Sequence, residues 1–168
     1  SPAGGTVNTG GTGNAVAFEC RVRFPVIASQ SSFIGLAEAN LMVADGGIIA
    51  DDGNPIATTG CIGFSQRLSG TVIDFAYKTG GAATVTTAGT NLCDTIVADQ
   101  FYKLGFIFDP DAPPERRITV YVDNEEQTTY VTHALMDATA FPDATELLNF
   151  VAAVCATNGT SNDAQMEI

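Results

Sequence analysis

Tryptophan is absent from the 168 residues, histidine occurs once, and only two of the seven basic residues are lysine. Each shortage narrows the range of functions. Without Trp the strongest sugar-stacking side chain is missing. Seven basic residues against 19 acidic ones leave a net charge of −12. A surface of that sign cannot supply the cationic contacts that dominate binding to phosphate backbones, so nucleic acid is not an expected partner. Solubility is the plain reading of the acidity, and adaptation to saline water, where counterions screen such a surface, is the sharper one. No apolar run approaches the roughly 20 residues of a membrane span, so no membrane partner is expected. The start, Ser-Pro-Ala-Gly-Gly, has neither the basic region nor the apolar core of a signal peptide. It also has no initiating Met, and Gln-Met-Glu-Ile stops mid-pattern. The chain therefore reads as processed, or as the ordered part of a longer one.

The four cysteines, Cys20, Cys61, Cys93 and Cys155, all lie more than four residues apart. That spacing excludes a zinc knuckle and a Cys-x-x-Cys redox pair. Three complete disulfide pairings stay open, but free thiols are expected, because a chain that is 45% apolar does not need staples. His133 sits alone in an irregular stretch, which favours a structural or solvated side chain over a catalytic one. One His and dispersed Cys residues leave no soft-metal site. Gly63-Phe-Ser65-Gln-Arg67 fails the Gly-x-Ser-x-Gly elbow at its last place. Gly11-Thr-Gly13 likewise fails the dinucleotide fingerprint, because Val16 takes the place of the final Gly.

What the chain does have is alternation. From Phe101 to Glu126, Tyr102, Leu104, Phe106 and Phe108 fall on one face at period two, and Ile118, Val120 and Val122 do the same. Between them Pro110, Pro113 and Pro114 belong to a loop, since proline cannot donate to a ladder. This is a long antiparallel hairpin that needs a second sheet to cover its apolar face. Val16–Phe24 is the clearest single strand, with Val16, Phe18, Cys20, Val22 and Phe24 inward and Glu19, Arg21 and Arg23 outward. The outer charges read as a solvated face able to pair with a neighbouring strand, ahead of a two-Arg binding patch.

Further strands are expected over 32–38, 61–67, 71–78, 82–87, 127–132 and 163–168. Residues 88–100 read as a turn with a brief extended piece. The apolar run 147–156 reads as a central strand buried on both faces, and one helical turn is expected near 134–138. Ala37 to Val43 allows a second helical turn. Residues 1–14, mostly Gly, Thr and Asn, read as a flexible arm, and 15–168 as one domain. About ten strands with short turns and hardly any helix predict an all-β, two-sheet antiparallel sandwich.

The aromatic-x-Leu-x-Phe strand, the loop and the strand ending Val-Tyr-Val-Asp-Asn resemble the late hairpin of concanavalin A-like (laminin-G-like) jelly rolls. Phe-Glu-Cys-Arg-Val-Arg-Phe near the start and Phe-Ile-Gly-Leu-Ala at 33–37 extend the resemblance over about 15–168. Within that superfamily the likeness is to jelly-roll proteins of tailed-phage virions, including capsid decoration proteins.

The resemblance implies a non-enzymatic virion component whose partners are the capsid protein and copies of itself. The alternative is a carbohydrate-binding, lectin-like module of a secreted or cell-surface protein. Glucanases of this superfamily use a strand-borne Glu-x-Asp, yet no Glu here is followed two places later by Asp. Tyr77, Tyr102, Tyr121 and Tyr130 are the aromatics able to stack on a sugar, although strand tyrosines more often pack at the sheet surface. Calcium also enters through the resemblance, since such folds often hold it with loop carboxylates. Asp51, Asp52 and Asn54 are hard oxygen ligands close together, but their order does not match an EF-hand, and Asp-Asp-Gly-Asn is an ordinary turn sequence. Asn158-Gly-Thr160 matches a glycosylation acceptor but reads better as a turn. No catalytic, cofactor-binding or metal residue is assigned. The arm lacks the apolar surface to fold alone and is expected to be held by a neighbouring chain through strand addition.

Overall fold

A computed structural model describes residues 15–27, 30–38, 60–67, 70–79, 86–93, 95–138, 141–142, 148–156 and 166–168. The arm at 1–14, the acidic loop containing Asp51, Asp52 and Asn54, the Asn158-Gly-Thr160 turn and most of the second helical-turn segment lie outside these residues. The described chain is almost entirely extended. Its strands are β1 (Val16–Arg23), β2 (Gln30–Glu38), β3 (Cys61–Gln66), β4 (Ile73–Lys78), β5 (Thr86–Cys93), β6 (Phe101–Phe108), β7 (Ile118–Val122), β8 (Glu125–Val131) and β9 (Leu148–Ala156). One helical turn, α1 (His133–Met136), follows β8, with Thr132 accepting the Leu135 N–H as its cap. The strands form two antiparallel sheets, ordered β1-β6-β7-β8 and β5-β4-β3-β2-β9. The chain crosses between them after β1, after β5 and after β8. This is the two-sheet sandwich that the alternation predicts.

The hairpin at 101–126 holds its expected register. Phe106 pairs with Phe18 on one side and Val120 on the other, and all three are buried. Phe106 is the hub of the core. Its ring lies 5.1 Å from Phe18, 5.5 Å from Phe75 and 6.5 Å from Phe64, so it links both sheets. Asp123 and Asn124, at φ 50° and 69°, form the two-residue turn into β8. Both central residues are left-handed, the backbone that matches the twist of a hairpin and that Asn and Asp tolerate best. Asp123 also binds β6 through Lys103, donating its N–H to the Lys103 carbonyl (2.7 Å) and accepting the Lys103 N–H on Oδ1 (2.8 Å).

Two expectations need correction. Among the described residues β9 stands at the edge of its sheet rather than at its centre: β2 is its one strand partner there, and Val151 to Val154 are half-buried, not buried on both faces. Its apolar run reflects a position over the flank of the sandwich, where Phe150 stacks 6.0 Å from Phe18. Of the strand expected at 82–87 the described part starts at Thr86, 82–85 lying outside the described residues, and it continues without a break through 88–93, where composition reads as a turn with a brief extended piece. β5 absorbs that composition in two register shifts against β4 and in Asn91 at φ 55°. The buried Asp74 carboxylate holds the irregularity by accepting the Asn91 N–H at 2.9 Å. Of the last strand expected at 163–168, residues 166–168 are described, and Glu167 there forms an antiparallel bridge with Arg23.

The three middle strands of the five-stranded sheet, β2, β3 and β4, are buried on both faces. Ile34, Ile62, Phe64, Phe75 and Tyr77 join the main core. On the opposite face Phe33, Ala37, Cys61, Ala76 and Lys78 are equally inaccessible. Phe33 lies across Gly35 and Gly63, its ring tip about 3 Å from where a β-carbon would stand on either. One end of the sandwich is closed by Gln66. Its amide donates to the carbonyls of Ile27 (3.2 Å) and Gly70 (2.8 Å), and its oxygen accepts from Ser32 (3.1 Å).

Cys20, Cys61 and Cys93 are buried free thiols, as expected, and the Cys155 side chain lies outside the described set. Burial pushes the Cys20 thiol from 9.0 up to about 11. The folded state therefore holds this proton more tightly than the unfolded one. Its contribution is complete below pH 9 and is lost as pH rises toward 11. Wild type is expected to lose about 2–3 kcal/mol more than Cys20→Ala between pH 8 and pH 11, at 1.36 kcal/mol per unit. Denaturant melts of both proteins at the two pH values measure it, and parallel losses would contradict it.

Candidate functional site

The outer face of the four-stranded sheet is the best-formed exposed surface among the described residues. Strand pairing sets its rows. Ala17, Ile107, Thr119 and Tyr130 make one row across β1, β6, β7 and β8, and Glu19, Gly105, Tyr121 and Glu126 make the next. Gly105 has no side chain to fill its place between Glu19 and Tyr121. The result is a depression of about 200 Å3 with Ile107, Lys103 and Asn124 on its rim. A second depression, of about 280 Å3, continues past Ile107 and Tyr121 to Asp109, Pro113 and Arg116. Tyr121 is the shared wall, so the two form one groove along β6 and β7.

Polar groups close both ends. Lys103 Nζ donates to Glu19 (2.8 Å) and to the side-chain oxygen Oδ1 of Asn124 (2.7 Å), so the β7–β8 turn brings the Asn124 amide to the rim. At the other end Glu126 pairs with Arg116 and accepts from the Tyr130 hydroxyl at 2.9 Å, with the Arg116 guanidinium 4.7 Å from the Tyr130 ring centre. The hydrogen bond to Glu126 pushes the Tyr130 phenol above its ordinary range. Further along the same face Arg21 and Arg23 stack on Phe101, at 4.0 and 5.4 Å from its centroid. Arg23 also pairs with Glu167 at 2.6 Å. The outer charges of β1 are thus engaged with neighbouring groups, as a solvated face predicts, and do not form a free basic patch.

The carboxylates of this face are not placed for paired acid–base work. Glu19 and Glu126 share a row, but three strand spacings of about 4.8 Å put them roughly 14 Å apart. Paired carboxylates that hydrolyse glycosides stand about 5–9.5 Å apart. Each of the two also already binds a cation. Of the four tyrosines, Tyr77 and Tyr102 are core residues, Tyr121 lines the groove, and Tyr130 packs against Glu126 and Arg116 beside it. The Tyr102 hydroxyl is occupied, accepting the Val97 N–H at 2.7 Å. His133 starts α1 and pairs with Asp137 at 2.9 Å, one turn on. Among the described residues no group of three His, Cys, Asp or Glu could hold a metal ion, and no helix is long and apolar enough to cross a membrane.

The groove is hard to find in sequence because it depends on Gly105, an unremarkable position inside a strand pattern, and on Asn124 arriving from a turn. A glycine interrupting an alternating strand is the one available signal. No family model matches the chain, and no curated protein matches it.

Proposed function

We propose that this protein is a non-enzymatic structural component of a tailed-phage virion, a decoration or cement protein that binds the capsid and copies of itself. The supporting observation is the outer face of the four-stranded sheet. It is strand-built and shallowly grooved, its ion pairs Lys103–Glu19 and Arg116–Glu126 fix the rim, and these two carboxylates are held apart and neutralised rather than paired for catalysis. Such a face is suited to docking against another protein surface. The resemblance of the 101–126 hairpin and of the opening strand to jelly-roll virion proteins gives the reading its particular setting. The test is retention on particles: the purified chain should co-sediment with tailed-phage capsids that lack it, at a fixed ratio to capsid protein.

A second reading, a glycan-binding module, is favoured by one feature, the Gly105 notch between the Tyr121 ring and the Glu19–Lys103–Asn124 cluster. An aromatic wall beside forked polar groups is a sugar-binding arrangement. On this reading one sugar class binds reproducibly on a glycan array, with or without calcium, and Tyr121→Ala weakens it about tenfold or more, the effect of losing roughly 1.4 kcal/mol. An array without reproducible binding removes this reading.

A further inference from the structure

The groove on the outer face of the four-stranded sheet is open to solvent. Ile107, which lines both depressions, leaves 40% of its surface exposed, and the Glu19 side chain leaves 63%. The floor is apolar, with Ala17, Gly105, Ile107 and Tyr121 between the polar ends. Lys103 stands at one end and Asp109 at the other. At the rise of an extended chain that separation is about 20 Å.

Charge is unevenly matched along it. Glu19 and Glu126 are neutralised by Lys103 and Arg116. Asp109, Asp111 and Glu115 lie in the loop at one end, and Asp123 and Glu125 flank Asn124 at the other. None of these five has an ion-pair partner among the described residues, and those residues include every Lys, Arg and His of the chain. Arg117, just before β7, does not supply one, since its Nε and Nη1 are buried. The groove is thus an apolar strip between two negative ends.

An occupant that fits it carries apolar side chains in the middle and cations at both ends, because complementary potentials steer a partner in and fix its register. This chain cannot supply that occupant to itself or to a second copy. Its Lys and Arg residues are either within two places of each other or at least eleven apart, so no extended segment sets one at each end of the groove. We propose that the groove binds an extended segment of a different protein, apolar in the middle and bearing Lys or Arg at each end. The proposal rests on the reading of this face as a protein-docking surface and gives the chemistry of what docks there.

The test titrates the full chain into a fluorescent eight-residue peptide, Lys-Arg-Val-Thr-Val-Thr-Lys-Arg, about 26 Å long when extended, and follows anisotropy at low ionic strength. One control peptide carries Glu at the four outer places, and another carries Gly and Ser at the four inner places. Wild type is expected to bind the probe saturably and each control at least about tenfold more weakly. Salt at about 0.5 M should weaken the probe at least about tenfold. So should the triple variant Asp111→Lys, Glu115→Lys, Glu125→Lys, whose three positions are exposed and whose attractions become repulsions. Ile107→Ser in the floor should cost about fivefold. No saturable binding by wild type, undiminished binding by the folded triple variant, or equal binding of the Gly-Ser control overturns the proposal. Should the triple variant misfold, amide shifts of wild type on titration replace it: shifts centred on Ile107, Thr119 and Tyr121 support the groove, and shifts confined to other surfaces overturn it. The two readings fail separately. A chain that takes up the probe and ignores capsids refutes the virion role alone, and capsids decorated equally by wild type and the triple variant refute the groove alone.

Discussion

Replacing Phe106 with Ala is expected to destabilise the protein by roughly 3–5 kcal/mol, the range for truncating a buried aromatic residue. The position justifies the upper half of that range. Phe106 is 1% exposed and contacts rings from both sheets, Phe18 beside it and Phe64 and Phe75 across the sandwich. Ala would remove the apolar area, three aromatic contacts each worth about 0.5–1.5 kcal/mol beyond burial, and the wedge that sets the sheet separation. The strands around it are locked in unbroken register with β1 and β7, so the cavity cannot collapse easily. Denaturant melting of the variant measures the loss. A value below about 1 kcal/mol, the size of a surface change, would place Phe106 outside the core.

Gly63→Val is expected to be comparably damaging for the opposite reason. A β-carbon on Gly63 would stand 2.5 Å from the Ile34 carbonyl oxygen, 2.7 Å from the Gly35 α-carbon and 3.0 Å from the Phe33 ring tip. The first two are backbone atoms in the strand paired directly across, Gly35↔Gly63, and cannot rotate away. Val adds two methyl groups to that clash and displaces Phe33, which is fully buried on the outer face of the sheet. Accommodation requires β2 and β3 to part at the centre of the five-stranded sheet. A loss of roughly 3 kcal/mol or more follows, at or beyond the usual upper limit for overpacking. Gly105→Ala is the control. Its nearest neighbour is the Phe18 carbonyl oxygen at 3.0 Å, and the next atoms are at 3.8 Å. It is expected to cost about 1 kcal/mol, within the ordinary range for a point change. A Gly63→Val protein within 1 kcal/mol of wild type in denaturant melts would show that β2 and β3 tolerate separation.

The sandwich was legible wherever one face of a strand is buried and the other solvated. Val16 to Phe24 and Tyr102 to Phe108 alternate because most of their outer residues meet water, and every residue assigned inward is buried except Val16, which is half-buried. Legibility fails where that asymmetry is lost. β9 is apolar on both faces although it lies at an edge among the described residues, and composition alone reads such a run as central. β5 is disguised by Ala-Gly-Thr-Asn, residues that favour turns, here fitted into a strand by register shifts and the Asp74 carboxylate. Lys78 is the most surprising case. A lysine ending a strand pattern reads as solvent-facing, yet it is fully buried directly opposite Cys61, and desolvation holds its pKa below the ordinary lysine range. The groove was legible only in pieces. Tyr121 and the Asp123-Asn124 turn stand out in sequence, but their meeting with Lys103 and Glu19 across Gly105 is set by strand order.

The central proposal, that this sandwich works on the outside of a virion, is tested most directly by cryo-electron microscopy of tailed-phage particles incubated with the chain. The account predicts regularly repeated two-sheet density at fixed capsid positions, with the outer face of β1-β6-β7-β8 against a neighbouring protein. Bare capsids in the presence of excess folded protein would contradict it.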